Sequence, residues 1–324
     1  MGEPSARSQR VYLHAINYLA RETCAFEFRA VNGADLAPFT AGAHVDLWLP
    51  NGVRRAYSLC NPEGERRRYV VGVKRASPSR GASAFLHDEL RVGAEIEVGE
   101  PRNNFPLIET AAHSVLIAGG IGVTPIFGML QRLAHIGASW ELHYACRTRA
   151  DGAFLEELQA LAARDPLRVR LTFDQEPGSK MLDLGAIVAA SPPQSHFYAC
   201  GPAPMLDAFE AATNALPAEQ RHIERFSNPD AAAAPASGFE IVLARSNRRL
   251  QIPPGKPILD VLLDEGVDIA FSCMDGVCGS CKVGVLDGVP DHHDVVLSAA
   301  ERAENKSMMV CCSGAKSDRL VLDL

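Results

Sequence analysis

The chain has no excess of basic charge, no unbroken apolar run long enough for a membrane, and no disulfide framework. Each lack removes a class of function. Lys and Arg total 32 against 39 Asp and Glu, a formal net charge of −7. A nucleic-acid partner calls for the opposite sign. The longest apolar run, residues 115–130, is broken by glycines and Pro125. A membrane helix needs roughly 20 uninterrupted apolar residues, so no membrane role is expected. The nine cysteines lack disulfide-framework spacing, which fits a reducing cytosol. The opening MGEPSARSQR lacks the apolar core of a signal peptide, and a cytoplasmic location is expected. No Ser/His/Asp triad, paired-carboxylate site, H-E-x-x-H motif or internal repeat is present. His292 and His293 are adjacent and read as surface residues.

What is present is concentrated in residues 271–281, FSCMDGVCGSC. Cys273, Cys278 and Cys281 form a C-x4-C-x2-C array, the plant-type [2Fe–2S] spacing. A fourth thiol follows at Cys311 or Cys312, and spacing leaves that choice open. The cluster needs two thiolates per iron. Three on one short loop require a tight turn, which Gly276 and Gly279 permit through positive φ. Loop N–H groups can then point at sulfur and tune the potential. A structural zinc site is the alternative, but such sites pair two C-x2-C knuckles and only one is found here. From residue 239 onward, 13 Asp and Glu oppose nine Lys and Arg. More than half of the net charge therefore lies in the last quarter, which invites a basic docking surface on a partner.

The remaining chain falls into zones. Residues 10–107 carry short β-branched or alternating runs (VYLHAI, AFEFRAV, HVDLWLP, RAYSL, RYVVGVK, EIEVGEP) separated by turn signals such as Asn51 with Gly52. Only SAFLHDEL looks helical. Six strands and one helix predict a small antiparallel barrel. Residues 114–226 alternate apolar runs (SVLIAG, WELHYAC, RVRLTF, HFYAC) with three helical stretches, which predicts a parallel sheet covered on both faces. The Ala/Pro/Ser-rich stretch 228–238 reads as a linker. Two short strands around Asn247 and Arg248 and an amphipathic helix opened by Pro257 then lead into the cysteine loop. The expected division is 1–108, 109–227, linker 228–238, and 239–324.

Three further constellations carry chemistry. Residues 119–125, GGIGVTP, follow a strand and open a helix, where glycines let a pyrophosphate approach backbone N–H groups. Pro125 takes the place of the third glycine of G-x-G-x-x-G. Tyr198, Ala199, Cys200, Gly201 and Pro202 close the last expected parallel strand, where such sheets bind ligands. In the barrel, Arg55, Ala56, Tyr57 and Ser58 share a strand. Arg80, Gly81, Ala82 and Ser83 precede the helix, and an arginine beside a Ser-capped helix start would make an anion site.

Together, RAYSL, RGAS, GGIGVTP, YACGP, ERF and the cysteine loop resemble the three-domain reductases of Rieske-type oxygenases, of the phthalate dioxygenase and vanillate demethylase kind. The resemblance implies a multidomain fold: an antiparallel β-barrel flavin domain, an α/β parallel-sheet NAD-binding domain and an α+β plant-type ferredoxin domain of the β-grasp type. It implies FMN rather than FAD, held by Arg55, Ala56, Tyr57, Ser58, Val73, Lys74, Gly81, Ala82 and Ser83. Ala82 stands where the family often has glycine. Gly120, Gly122, Thr124, Pro125, Cys200, Gly201 and Pro202 would seat NADH, with Cys200 beside the nicotinamide. Arg147 would lie in the same site, although it and Arg149 would also suit a 2′-phosphate. Phe226, in the Glu224, Arg225, Phe226 segment, would stack near the flavin. The family's V-C-x-S context selects Cys311 as fourth ligand. The implied activity takes two electrons from NADH and delivers them singly through the cluster to a terminal oxygenase. The oxygenase would act on an aromatic acid, and the chain would work as a monomer. A haem monooxygenase or another ferredoxin-dependent enzyme is the alternative acceptor. Asp264, Glu265, Asp268 and Asp275 are candidates for the docking surface.

Overall fold

The structure is a computed structural model that describes residues 8–77, 81–164, 168–178, 180–228 and 237–324. It divides into two units, Met1–Glu224 and Arg225–Leu324.

The first unit begins with β1 (Ser8–Ala20), β2 (Thr23–Ala30), β3 (His44–Trp48), β4 (Arg54–Ser58), β5 (Tyr69–Lys74) and β6 (Glu95–Gly99). They form an antiparallel sheet in the order β4-β3-β6-β1-β2-β5. Its two edges meet through an antiparallel bridge between Leu59 and Val71, reinforced by Cys60 N–H donating to Val70 O at 2.8 Å. Closing the edges in this way leaves a barrel filled by Leu13, Phe26, Phe28, Leu47, Tyr69 and Val71. Helix α1 (Ala82–Asp88) is the expected single helix of this part.

A parallel sheet follows in the same unit: β7 (Ser114–Gly119), β8 (Trp140–Cys146), β9 (Val169–Phe173), β10 (His196–Cys200) and β11 (Arg221–Glu224), in the order β11-β10-β7-β8-β9. Every residue of β7 is buried, as a central strand covered on both faces requires. Helices α2 (Val123–His135), α3 (Leu155–Arg164), α4 (Leu184–Ala190) and α5 (Ala203–Thr213) connect the strands. Sequence periodicity missed α4 and β11. The first is only seven residues long and is started by Asp183, whose carboxylate accepts from Ala186 N at 2.9 Å. The second is four half-buried residues defined by pairing with β10. Strand order reverses between β7 and β10, and the crevice above that reversal is where such sheets take ligands.

The second unit holds a mixed sheet of β12 (Phe239–Leu243), β13 (Arg248–Ile252), β14 (Lys282–Asp287), β16 (Ser307–Met309) and β18 (Arg319–Leu322). Its order is β13-β12-β18-β14-β16, with β12 and β18 parallel. A small ribbon pairs β15 (Pro290–Asp291) with β17 (Gly314–Ala315). Helix α6 (Ile258–Asp264) buries Ile258, Leu259, Val261 and Leu262 in the core of this unit. Helix α7 (Ala299–Glu304) is started by a capping box between Ser298 and Glu301. One helix against a mixed sheet is the α+β arrangement expected. Its later strands, too short for periodicity to reveal, emerge only from pairing.

Candidate active site

In the barrel, Arg55, Ala56, Tyr57 and Ser58 lie on β4, with Tyr57 opposite Val45 and Ser58 opposite His44 on β3. Ser58 is buried, and burial pushes the half-exposed Tyr57 hydroxyl up to about 12. Val73 and Lys74 end β5, with Val73 buried and Lys74 half-buried. Gly81 has φ +104 and a Cβ there would lie 3.3 Å from Val53 Cγ2, so glycine is required. Ala82 is buried in the first turn of α1. Ser83 is not the helix cap. It sits inside the first turn, where its hydroxyl accepts from Ala76 N at 3.1 Å, and Gly81 occupies the cap position without a side-chain bond. Arg80 lies outside the described residues.

The nucleotide motifs, some 80 residues apart in sequence, meet at the reversal point. A Cβ on Gly122 would stand 2.2 Å from Cys200 O, and one on Gly119 would stand 2.7 Å from Pro202 Cδ. Gly201 packs against Gly119, with a built Cβ 3.1 Å from its Cα. Gly120 takes φ +52, and its carbonyl accepts from the Tyr144 hydroxyl at 3.2 Å. Thr124 and Pro125 are buried in the first turn of α2, and the Thr124 hydroxyl donates to Ile121 O at 3.0 Å. The same turn touches the barrel, since a Cβ on Gly72 would lie 2.7 Å from Thr124 Cγ2. Arg147 is exposed at the end of β8. The result is a backbone-lined cradle at the carboxyl ends of β7 and β10, the shape a pyrophosphate and a flat ring require.

Sequence reading assigned Glu224 no role. Register places it opposite Cys200 on the neighbouring strand. Its carboxyl accepts from the Ser58 hydroxyl, and burial, opposed by that bond, lifts it to about 8. Oε2 has no hydrogen-bond partner among the described residues. Cys200 is fully buried, and desolvation with the nearby Glu224 raises its thiol well above the ordinary value. Ser58, Cys200 and the enclosed carboxyl of the half-buried Glu224 therefore form one group, neutral at pH 7, joining barrel to parallel sheet. Its only hint in the sequence was the acidic residue of ERF.

In the second unit, Cys273, Cys278, Cys281 and Cys311 are all buried. Gly276 and Gly279 have φ +67 and +73, as the tight turn requires. Backbone N–H groups of Asp275 and Val277 lie 3.3 and 3.4 Å from Cys273 Sγ, and Cys273 N–H lies 3.5 Å from Cys278 Sγ. Hydrogen bonds from Cys278 and Cys311, with those N–H groups, hold the Cys273 thiol below its ordinary value. The Cys311 thiol interacts with Cys273, Cys281 and the adjacent Cys312. Cys312 instead fills the space a Cβ on Gly276 would need, 2.5 Å away, with Met309 O at 3.8 Å. Among the described residues no three His, Cys, Asp or Glu side chains are arranged to hold a single metal ion. A two-iron core asks for a pair of thiolates at each iron, a number that four such thiols match.

Residues 116–211 match the oxidoreductase NAD-binding domain, and residues 241–316 match the 2Fe-2S iron-sulfur cluster binding domain. Over 312 residues the chain is 53% identical to the phenoxybenzoate dioxygenase subunit beta of Ectopseudomonas oleovorans, covering 96% of each. The solved phthalate dioxygenase reductase, described as a modular structure for electron transfer from pyridine nucleotides to [2Fe–2S], is 38% identical, with a TM-score of 0.76 and 98% of each chain covered. The chain belongs to the phthalate dioxygenase reductase family. Several of the named relatives are oxygenase reductase components, and the cofactors expected from the sequence, FMN, NADH and a [2Fe–2S] cluster, stand with that membership. An intact type IV self-sufficient cytochrome P450 monooxygenase is also similar: TM-score 0.84, 35% identity, 98% of this chain but 41% of that one.

Two expectations need correction. His292 is half-buried rather than a surface residue, its side chain enclosed with Nδ1 3.7 Å from Asp294 Oδ2, and burial lowers its pKa. Its neighbour His293 is half-buried beside Asp291. The acidic docking set also shrinks. Asp275 is buried, Asp264 pairs with Lys256, and Glu265 pairs with Arg248 at 2.7 Å. Only Asp268 is exposed without an ion pair among the described residues. Phe226 is half-buried and belongs to the second unit. Among the described residues no helix is long and apolar enough to cross a membrane.

Proposed function

We propose that the protein is the reductase component of a Rieske-type terminal oxygenase acting on an aromatic acid in the cytoplasm, with NADH as donor. The observation that carries this reading is the buried group of Ser58, Cys200 and Glu224, which joins a flavin-type barrel to a nucleotide cradle. Bound FMN supplies the conversion of a two-electron donor into single electrons. Arg55, Ala56, Tyr57, Val73, Lys74, Gly81, Ala82 and Ser83 would hold it. Ser58 orients the reactive edge of the ring. Glu224, protonated below about pH 8, keeps negative charge away from it. The cradle of Gly120, Gly122, Thr124, Pro125, Gly201 and Pro202 seats the pyrophosphate, Arg147 faces the adenosine side, and Cys200 flanks the nicotinamide. Cys273, Cys278, Cys281 and Cys311 hold the cluster. The functional division runs 1–108, 109–227 and 239–324, and the chain works as a monomer.

The purified protein is expected to show flavin and iron–sulfur absorption that NADH bleaches, and to couple NADH oxidation to product formation with a Rieske oxygenase. A colourless, zinc-containing protein would end this reading. Likeness to the self-sufficient cytochrome P450 favours a second one, in which the acceptor is a haem monooxygenase. Turnover with a haem partner and none with Rieske oxygenases would select it.

A further inference from the structure

Strand β8 is followed by Arg147, Thr148 and Arg149. In dinucleotide folds the segment after this strand meets the ribose 2′-position. Two arginines there would suit a 2′-phosphate, yet the structure treats them differently. The Arg149 backbone N–H donates to Glu176 Oε1 at 3.0 Å, and its Nε lies 3.5 Å from Oε2 of the same carboxylate. The guanidinium also stacks 4.4 Å from the centre of the Phe173 ring. Glu176 arrives from the turn after β9. That turn is held against β8 by Asp174 N–H donating to Cys146 O at 3.0 Å and Gln175 N–H donating to Arg147 O at 2.9 Å. Thr148 is engaged as well, its hydroxyl donating to Asp151 at 2.7 Å, with Arg21 beside both. Arg147 makes no ion pair among the described residues.

We propose that Glu176 is a specificity-determining residue that selects NADH over NADPH. It draws Arg149 away from the ribose side, and it sets a carboxylate beside the space a 2′-phosphate would enter. A site rejects a near-identical ligand most economically by an unfavourable contact with the one group that differs. One carboxylate here removes an attractive cation and adds a repulsive anion. Loss of either half would relax the choice. The inference rests on the nucleotide-binding reading proposed above.

The test is Glu176→Gln in the full-length protein, with flavin reduction followed by stopped flow using each nucleotide. The ratio of kcat/KM for NADPH to that for NADH should rise about tenfold, because like-charge contact carries a penalty of this order. The gain should fall, to the part that comes from relieved repulsion, in the Glu176→Gln, Arg149→Ala double variant and should shrink at high salt. An unchanged ratio in Glu176→Gln, or a double variant that keeps the whole gain, overturns the proposal. Titration with 2′,5′-ADP reads the same preference without turnover, and about tenfold tighter binding to Glu176→Gln is expected. If neither nucleotide reduces the wild-type protein, the reductase reading fails, while 2′,5′-ADP binding still decides the role of Glu176.

Discussion

The two units solve opposite electrostatic problems. At the junction of barrel and parallel sheet, burial raises the proton affinity of Cys200 and Glu224 and keeps both neutral. In the cysteine loop, N–H groups converge on Cys273 Sγ and stabilise negative charge. The construction differs as well. Three of the four cluster thiols lie within nine residues, and the turn glycines bring them together locally. The first site draws Ser58, the glycine turn, Cys200 and Glu224 from four separate strand ends. A cluster is a small object that a loop can wrap, whereas two stacked ring systems need a cleft between domains. Local chemistry is therefore robust to change elsewhere in the chain, and the assembled site is exposed to it.

The largest expected effect separates the two sites outright. Cys311→Ser should abolish the iron–sulfur EPR signal and acceptor reduction while NADH still bleaches the flavin. Cys312→Ser should retain the signal. The reverse pattern would reassign the fourth ligand. Next in size, Gly122→Ala forces a methyl against the Cys200 carbonyl. It should cost about 3 kcal/mol or more in a melt of the first unit and should weaken NADH binding. Intact stability with normal binding would show the cradle to be deformable.

Glu224→Gln probes the neutral group. Folding keeps a proton on Glu224 up to about pH 8 that the unfolded chain, with an ordinary carboxyl near 4.5, has already lost. Wild-type stability should therefore fall as pH rises from about 4.5 to about 8, and the variant should lack this component of the slope. Denaturant melts across that range check it. Ser58→Ala should slow flavin reduction about 10- to 100-fold, and a rate within twofold would remove Ser58 from the mechanism. Smallest of all, Asp264→Asn disrupts an exposed pair with Lys256. It should alter KM for the oxygenase by less than about twofold, and a larger change would restore that acid to the docking surface.

The motifs were legible because each is bounded by backbone chemistry. Glycines mark Gly122 and Gly276, where a side chain collides, and cysteine spacing marks the loop. Glu224 was not legible as a functional group, since an acid in a short polar strand carries no periodic signal. Ser83 was misread because a serine near a helix start resembles a cap until the backbone shows which residue precedes the first turn. His292 looked like a surface residue because its burial depends on Asp294, Arg302 and the rest of the fold around them.

By itself the sequence determined the family and the order of barrel, parallel sheet and ferredoxin module, and it marked the thiols proposed for the cluster. These depend on local spacing and on periodicity. Only the tertiary structure decided that Ser58, Cys200 and Glu224 share one buried site. It alone showed that Glu176 restrains Arg149 and that most of the acidic rim is already paired or buried. Each of these follows from strand register or from packing between distant segments, and no local pattern encodes the dielectric or the neighbours that result.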